Sequence, residues 1–400
     1  MIETVQTHTD GQKKFLTLAQ QRGIDPKLFG AFVPEIKFEE EHPDPTKPTI
    51  AYLHTGGTLM MVPSKQKAGA LSFENAVDIP EVMRICEIVA GVRSRYNIMG
   101  VHLANEDSKE VRSDLWTATA ATVKTLYDKV EGVTIGHGTH TLEYSAAGAA
   151  YALRNLAIPI VFTASQIPII GHPGSDGLPN LTGAMEISAH GDIAEVIAYT
   201  NGQIFRGTRT TKKNDNRLDV FEARVTGPQG YFTAAGIENR PGTRRRRGKR
   251  KHELIFAPHF SKHVTAIKLQ PGMSKEILDD IVKSGRDIGI IIETYGSGAI
   301  PREMVPIIKA HTDRGYPIFV TSSCAESGVS RTMQLHDEDA IKAFEAGVRN
   351  VGDMTTSAAT VKLMHVRGNM PDAKLDEVRE EMIGKSYAGE INVGQSSEDF

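Results

Sequence analysis

From Thr49 onward, short apolar runs alternate with helix-forming stretches, and this alternation restricts the chain to sheets built from parallel strands. The runs fall at 50–53, 98–103, 132–136, 158–163 and 195–200, with helical patterns near 78–93, 113–130, 141–157 and 180–190. A sheet covered by helices on both faces needs strands that are apolar throughout, as these are. A second α/β unit follows, with strands from Val264 to Leu269, Ile288 to Ile292 and Pro317 to Val320, and helices from Lys275 to Lys283 and Thr355 to Val366. A length of 400 residues exceeds one ordinary core, which points to two domains. The expected division is an N-terminal extension over 1–48, a first α/β domain over 49–235, a basic linker loop over 236–262, and a smaller α/β domain over 263–400. The extension reads as an appendage, with a helix from about Gln12 to Arg22 and an acidic, Pro-rich strap. The tail after Ala388 reads as polar and frayed.

Several function classes drop out at once. No apolar run approaches the roughly 20 residues that span a bilayer, and the first thirty residues lack the apolar stretch of a signal peptide. Cys86 and Cys324 are the only cysteines, which argues against a disulfide framework and for a reducing cytoplasm. The run from Arg244 to Lys251 reads first as a solvated basic loop, and second as a site for a polyanion or an acidic partner. No aromatic side chains interrupt its arginines, which argues against a nucleic-acid partner held by base stacking.

Two turns carry the chemistry. The run Ile50 to Leu53 ends at Thr55-Gly56-Gly57-Thr58, and the run Val133 to Ile135 ends at His137-Gly138-Thr139-His140-Thr141, after which helix-forming residues begin. In open parallel sheets, ligands bind outside the carboxyl ends of strands, where loop amides and helix N-termini hold anions. Two such turns facing each other would set two threonine hydroxyls beside one substrate carbonyl. Ser113, before Asp114-Leu115-Trp116, reads as a helix N-cap.

Five segments, taken in order, resemble the bacterial-type L-asparaginase/glutaminase family across residues 49 to about 370. They are Thr55-Gly56-Gly57-Thr58; His137-Gly138-Thr139 with Thr141-Leu142-Glu143-Tyr144; Ser175-Asp176-Gly177 with Asn180-Leu181; Glu293-Thr294-Tyr295-Gly296-Ser297-Gly298; and Gly352-Asp353-Met354-Thr355-Thr356 leading to Lys362-Leu363-Met364. The resemblance implies a flavodoxin-like N-terminal domain, a smaller C-terminal α/β domain, and an active site at the subunit boundary of a homodimer or homotetramer. It implies hydrolysis of a small-molecule side-chain amide, with release of ammonia, through a threonine acyl-enzyme and with no metal or cofactor. By position, Thr58 matches the nucleophile, Thr139 the second active-site threonine and Lys212 its lysine partner. Gly57, Ser108, Gly138 and Ser165 would help hold substrate. The chemistry is coherent, because a threonine hydroxyl needs a base to become a nucleophile, and a lysine serves when burial or a nearby cation disfavours its charged form.

Four departures bear on how far the resemblance carries, the first three on specificity and the fourth on the chemistry. The family's Gly-Thr-Asp-Thr has His140 where the acid that holds the substrate's α-ammonium should stand. The loop that grips the α-carboxylate and amine reads Asp107-Ser108-Lys109, the family's Gly-x-Gly-Asn reads Gly296-Ser297-Gly298-Ala299, and residues 59–77 contain no lid tyrosine. An ammonium facing Lys109 and a charged His140 is a like-charge contact that can cost several kcal/mol once desolvated. The expected substrate is therefore an amide whose neighbouring group is neutral or anionic. On the loop, Ser64, Lys65 or Lys67 could replace the tyrosine; His140 could tune Lys212 or act as the base itself.

Blander readings stand beside these. A non-catalytic ligand-binding relative is the main alternative to a hydrolase. The archaeal subunit that supplies ammonia for glutaminyl-tRNA formation shares both turns, but it carries a small β-barrel for which 48 residues are too few. His54, His137 and His140 raise a metal site, although a His-x-x-His on a strand-end turn lacks the helical spacing that aims both rings one way. Thr58 and Thr139 could be plain turn residues, and Lys213 matches Lys212 on chemistry alone. Ser165-Gln166 could line the pocket or form a structural turn; Asp176 could orient the site or cap a helix near Asn180. Met60 and Met61 read as packing residues, and Cys324 has no histidine near it in sequence.

Overall fold

The computed structural model describes residues 8–64, 71–72, 76–248, 253–285, 288–324, 328–329 and 338–392. Lys65 and Lys67 of the loop, and Lys249 to Lys251 of the basic run, lie outside them.

The larger domain is a nine-stranded sheet. Its strands are β1 (Glu35–Glu39), β2 (Thr49–Gly56), β3 (Asn97–Glu106), β4 (Gly132–Gly136), β5 (Ile160–Thr163), β6 (Val196–Thr200), β7 (Gln203–Arg206), β8 (Gly230–Thr233) and β9 (Gly236–Asn239). Their spatial order is β1-β3-β2-β4-β5-β6-β7-β8-β9. The five central strands, β3-β2-β4-β5-β6, run parallel; the flanking strands join antiparallel. With β2 counted first among the parallel strands, this is the flavodoxin-like order, and its direction reverses between β2 and β4.

Helices cover both faces. Along β2, Ala51 and Leu53 belong to one core with α1 (Asp10–Gln21), α3 (Ser113–Leu126) and α4 (Leu142–Ala152). Ile50 and Tyr52 belong to another, with α2 (Ile79–Ala90) and α5 (Gly177–His190). The two-residue period of a strand sends alternate side chains to opposite faces, so an uninterrupted apolar run feeds both cores. The smaller domain holds four parallel strands in chain order: β10 (Thr265–Lys268), β11 (Ile290–Thr294), β12 (Ile318–Ser322) and β13 (Arg349–Asn350). Helices α6 (Lys275–Ser284), α7 (Val305–Thr312) and α8 (Glu338–Glu345) pack on one face. On the other lies α9 (Thr356–Asn369), which also meets α4 through Ala147, Tyr151 and Val361.

The structure differs from the sequence expectations in five places. The described part of 1–48 is integral to the larger domain: Phe15, Leu18, Ala19 and Phe29 are core residues, and β1 is the sheet's edge strand. Gly236–Asn239, placed in the linker, is the last strand of the sheet. Ser113 is the first helical residue of α3 rather than its cap, which is Arg112 without a capping side chain. The segment after Ala388 is held at its start, because Glu390 is buried against Lys362 at 2.6 Å and Ile391 joins a core.

The basic run departs from a solvated loop as well. Arg246 donates to the carbonyls of Ser188 (2.7 Å), Ala189 (3.1 Å) and Gly191 (2.5 Å) at the C-terminus of α5, and to Glu131 O at 2.8 Å. Arg247 donates to Asn155 Oδ1 and Leu156 O. Helix C-termini expose unsatisfied carbonyls and a negative dipole end, so a guanidinium there serves the fold.

Candidate active site

Three turns converge at the reversal between β2 and β4. Gly57 has φ +85°, and a Cβ there would fall 2.4 Å from the Gly138 nitrogen; one on Gly138 would fall 2.6 Å from Ser108 Oγ. Only glycine lets the turn after β2, the turn after β4 and the loop after β3 touch in this way. Gly57 N donates to Glu106 O at 3.0 Å, and Thr55 Oγ1 to Gly136 O at 2.8 Å. Thr58 opens a short 3-10 turn, Thr58–Met60, anchored by buried Leu59 and Met60. Thr58 itself is half-buried.

Thr139, on the facing turn, is buried. Lys212 Nζ donates to its Oγ1 at 2.9 Å, and Thr139 Oγ1 reaches Gln166 Oε1 at 3.4 Å. Lys212 ends a short strand, Thr210–Lys212, paired with Phe221–Ala223, and its main-chain N–H donates to Glu143 Oε2 at 2.8 Å. Burial pushes the Glu143 carboxyl up, with the Lys212 N–H opposing. Lys213 instead meets Asp219 at 3.2 Å. Asp176 accepts from the main-chain N–H groups of Gln166 (3.1 Å) and Ile167 (2.9 Å) and from Asn180 Nδ2 (3.1 Å). That carboxylate therefore shapes the Ser165–Ile167 turn and makes no side-chain cap of α5. Ser165 is fully buried, and its Oγ finds no partner among the described residues.

His140 lies beside this pair. Ser108 Oγ accepts from His140 N at 3.2 Å and lies 3.4 Å from Nδ1, while Nε2 is 3.7 Å from Asp215 Oδ1. Thr141 Oγ1 donates to Ser108 O at 2.6 Å, which ties the second turn to the loop after β3. Lys109 is exposed, and its ammonium is held by Asp107 at 3.2 Å. Sequence reasoning missed Asp215, whose carboxylate lies 2.5 Å from Lys212 Nζ. The only signal for it was its place in the Lys212-Lys213-Asn214-Asp215 turn.

The remaining histidines are aimed elsewhere. His54 is buried and 3.5 Å from Asn105 Oδ1; burial pushes its ring down to about 3. His137 Nδ1 lies 2.8 Å from Gly138 O, and burial lowers that ring to about 4. Among the described residues, no group of three or more His, Cys, Asp or Glu side chains is placed to hold a metal ion, and no helix is long and apolar enough to cross a membrane.

Comparison with known proteins gives consistent findings. The family described as "Asparaginase, N-terminal" matches residues 49–243, and "Glutaminase/Asparaginase C-terminal domain" matches 263–382. An L-asparaginase of Thermococcus kodakarensis is 30% identical over 347 residues, covering 86% of this chain and 98% of that protein. The glutamyl-tRNA(Gln) amidotransferase subunit from Pyrococcus furiosus is 32% identical over 370 residues, covering 90% of this chain and 80% of that protein. The solved structure of the thermostable L-asparaginase from Thermococcus kodakarensis superposes with a TM-score of 0.75 at 29% identity, covering 86% of this chain and 99% of that one.

Proposed function

The chain belongs to the asparaginase family, and from that premise we propose that it is an amidohydrolase that releases ammonia from a side-chain amide through an acyl-enzyme on Thr58. The observation that carries the reading is the 2.9 Å contact between Lys212 Nζ and Thr139 Oγ1, on a turn whose glycine abuts the turn of Thr58. In the neutral form the Lys212 amine draws the proton of the Thr58 hydroxyl by way of Thr139 Oγ1, which it touches, and the Thr58 alkoxide attacks the amide carbon. With Gly57 N–H held by Glu106 O, the other main-chain N–H groups of the Thr58 and Thr139 turns stabilise the resulting oxyanion, an effect worth on the order of 3 kcal/mol per donor. Ammonia leaves with the proton, and water releases the acid product.

Specificity turns on position 140. With an imidazole where a carboxylate would hold an α-ammonium, the site favours amides whose neighbouring group is neutral or anionic. Since Asp107 holds the Lys109 ammonium, this preference rests on His140. Ammonia release against asparagine, glutamine, their N-acylated and α-deaminated forms, and amides with an added carboxylate tests both levels. Release confined to compounds without a free ammonium supports the whole proposal; brisk asparagine hydrolysis removes the specificity claim. Silence across the panel from folded protein favours a ligand-binding relative.

A second reading has its own support, since the amidotransferase subunit matches more of this chain than the asparaginase does. Under it, ammonia passes to a partner acting on glutamyl-tRNA, and turnover rises only when partner and tRNA are present. The proposal also includes a cytoplasmic location, in keeping with two free cysteines, and a homodimer or homotetramer, which light scattering of purified protein checks.

A further inference from the structure

Among the described residues Lys212 Nζ has two hydrogen-bond partners, and the second lies on none of the three turns. It is 2.9 Å from Thr139 Oγ1 and 2.5 Å from Asp215 Oδ1. Asp215 stands on the loop joining strands Thr210–Lys212 and Phe221–Ala223. The neck of that loop is closed by Lys213 N and Asn214 N donating to Val220 O at 2.9 and 3.2 Å. Its tip is folded by Asn214 Oδ1, which accepts from Asn216 N at 3.1 Å and Arg217 N at 3.2 Å. The carboxylate is thus presented by a turn with its own bonds. Its lysine partner is only 14% exposed and is tied through its main chain to Glu143.

Building on the amidohydrolase reading above, we infer that Asp215 is the positioning residue of the Thr139–Lys212 pair, supplying from the loop tip the acid that the Thr139-His140-Thr141 turn lacks. Most exposed ion pairs contribute little, because two free side chains must be ordered and water screens the charges. Asp215 itself is 71% exposed, but its partner is fixed at both ends, so the carboxylate selects the rotamer in which the amine meets Thr139. When a site hydroxyl gives its proton to Lys212, the new ammonium is stabilised by the carboxylate. The hydrogen bond from Lys212 also holds the Asp215 carboxyl below its usual range. His140 Nε2, 3.7 Å from the same oxygen, is the only other basic group in contact with Asp215 among the described residues.

The test compares wild type with Asp215→Asn, Asp215→Glu and the double variant His140→Asp/Asp215→Asn, with two readouts. The first needs no substrate: acetylation of Lys212 by acetic anhydride at fixed pH, followed by mass spectrometry. Loss of the carboxylate disfavours the ammonium, so Asp215→Asn should react roughly three- to tenfold faster, and Asp215→Glu as wild type. The second is kcat/KM on the best amide of the panel. It should fall roughly tenfold or more in Asp215→Asn with its acid limb moved to lower pH, and recover in Asp215→Glu and in part in the double variant. Unchanged labelling and an unmoved acid limb in Asp215→Asn would reduce the contact to a surface ion pair and overturn the inference. A wild type silent on every amide would instead sink the hydrolase reading, and the labelling comparison would still decide for or against Asp215.

Discussion

Lys212 and Lys213 are adjacent and chemically alike, yet the fold sends them to different partners. The first meets Thr139 and Asp215; the second meets Asp219. Lys212→Met is therefore expected to lower kcat by roughly 100-fold or more, the usual scale for removing a general base, while Lys213→Met should leave it within about twofold. Equal losses would take Lys212 out of the chemistry. Thr58→Ala should abolish turnover and leave the melting temperature near wild type, because the half-buried side chain loses only its hydroxyl and one methyl; retained turnover would move the nucleophile elsewhere. Thr58 and Thr139 stand out in the sequence because a glycine-rich turn ends an apolar run there, whereas only the family spacing set Lys212 apart from Lys213. Asp215 was not, because its importance depends on a loop folding back over three residues, and an Asn-Asp-Asn sequence reads equally well as a solvated turn.

Elements were legible in proportion to their burial. The central strands feed two cores each, so their sequences are apolar without a break. The β8–β9 hairpin lies at the sheet's far edge, with four-residue strands, part-exposed side chains and a glycine at the first position of each, and its pattern was too weak to separate from a linker. Arg246 gives the opposite lesson: a basic cluster that reads as solvent-facing caps α5, because only the fold brings the carbonyls of Ser188, Ala189 and Gly191 to it. Removing a charged donor from buried acceptors costs about 2–3 kcal/mol, so Arg246→Ala should lower the unfolding free energy by that much. Arg245→Ala, which breaks an exposed pair with Asp192, should cost under about 1 kcal/mol. Denaturant titrations of the two variants check the contrast; equal costs would mean that the α5 terminus does not depend on Arg246.

At the scale of the whole molecule, the two domains meet over buried polar contacts: the Arg209–Asp353 pair at 3.1 Å, and Tyr151 Oη donating to Ala358 O at 3.1 Å. Nearby, on the cluster between α4 and α9, His365 is buried with its Nε2 3.0 Å from Ala257 O, and burial lowers its ring to about 3. With His54 at about 3 and His137 at about 4, three rings are held neutral in the folded state although each would charge near 6.5 when unfolded. A depressed folded value means that the unfolded chain binds more protons as pH falls. The stability these rings contribute is then complete above about pH 6.5 and declines as pH drops toward 4, by up to about 1.4 kcal/mol per unit for each ring. Glu143 works the other way, since its raised value lets the folded state take up a proton first, but the lowered rings, His102 among them, and lowered carboxylates such as Glu390 and Glu293 oppose it. The melting temperature should therefore be flat from pH 8 to 7 and fall steeply between 6 and 4. Replacing His365 with Gln, which keeps a polar side chain without the titration, should make that fall shallower, whereas an unchanged slope would mean that the ring becomes charged within the folded protein and that the domain junction takes no part in acid unfolding.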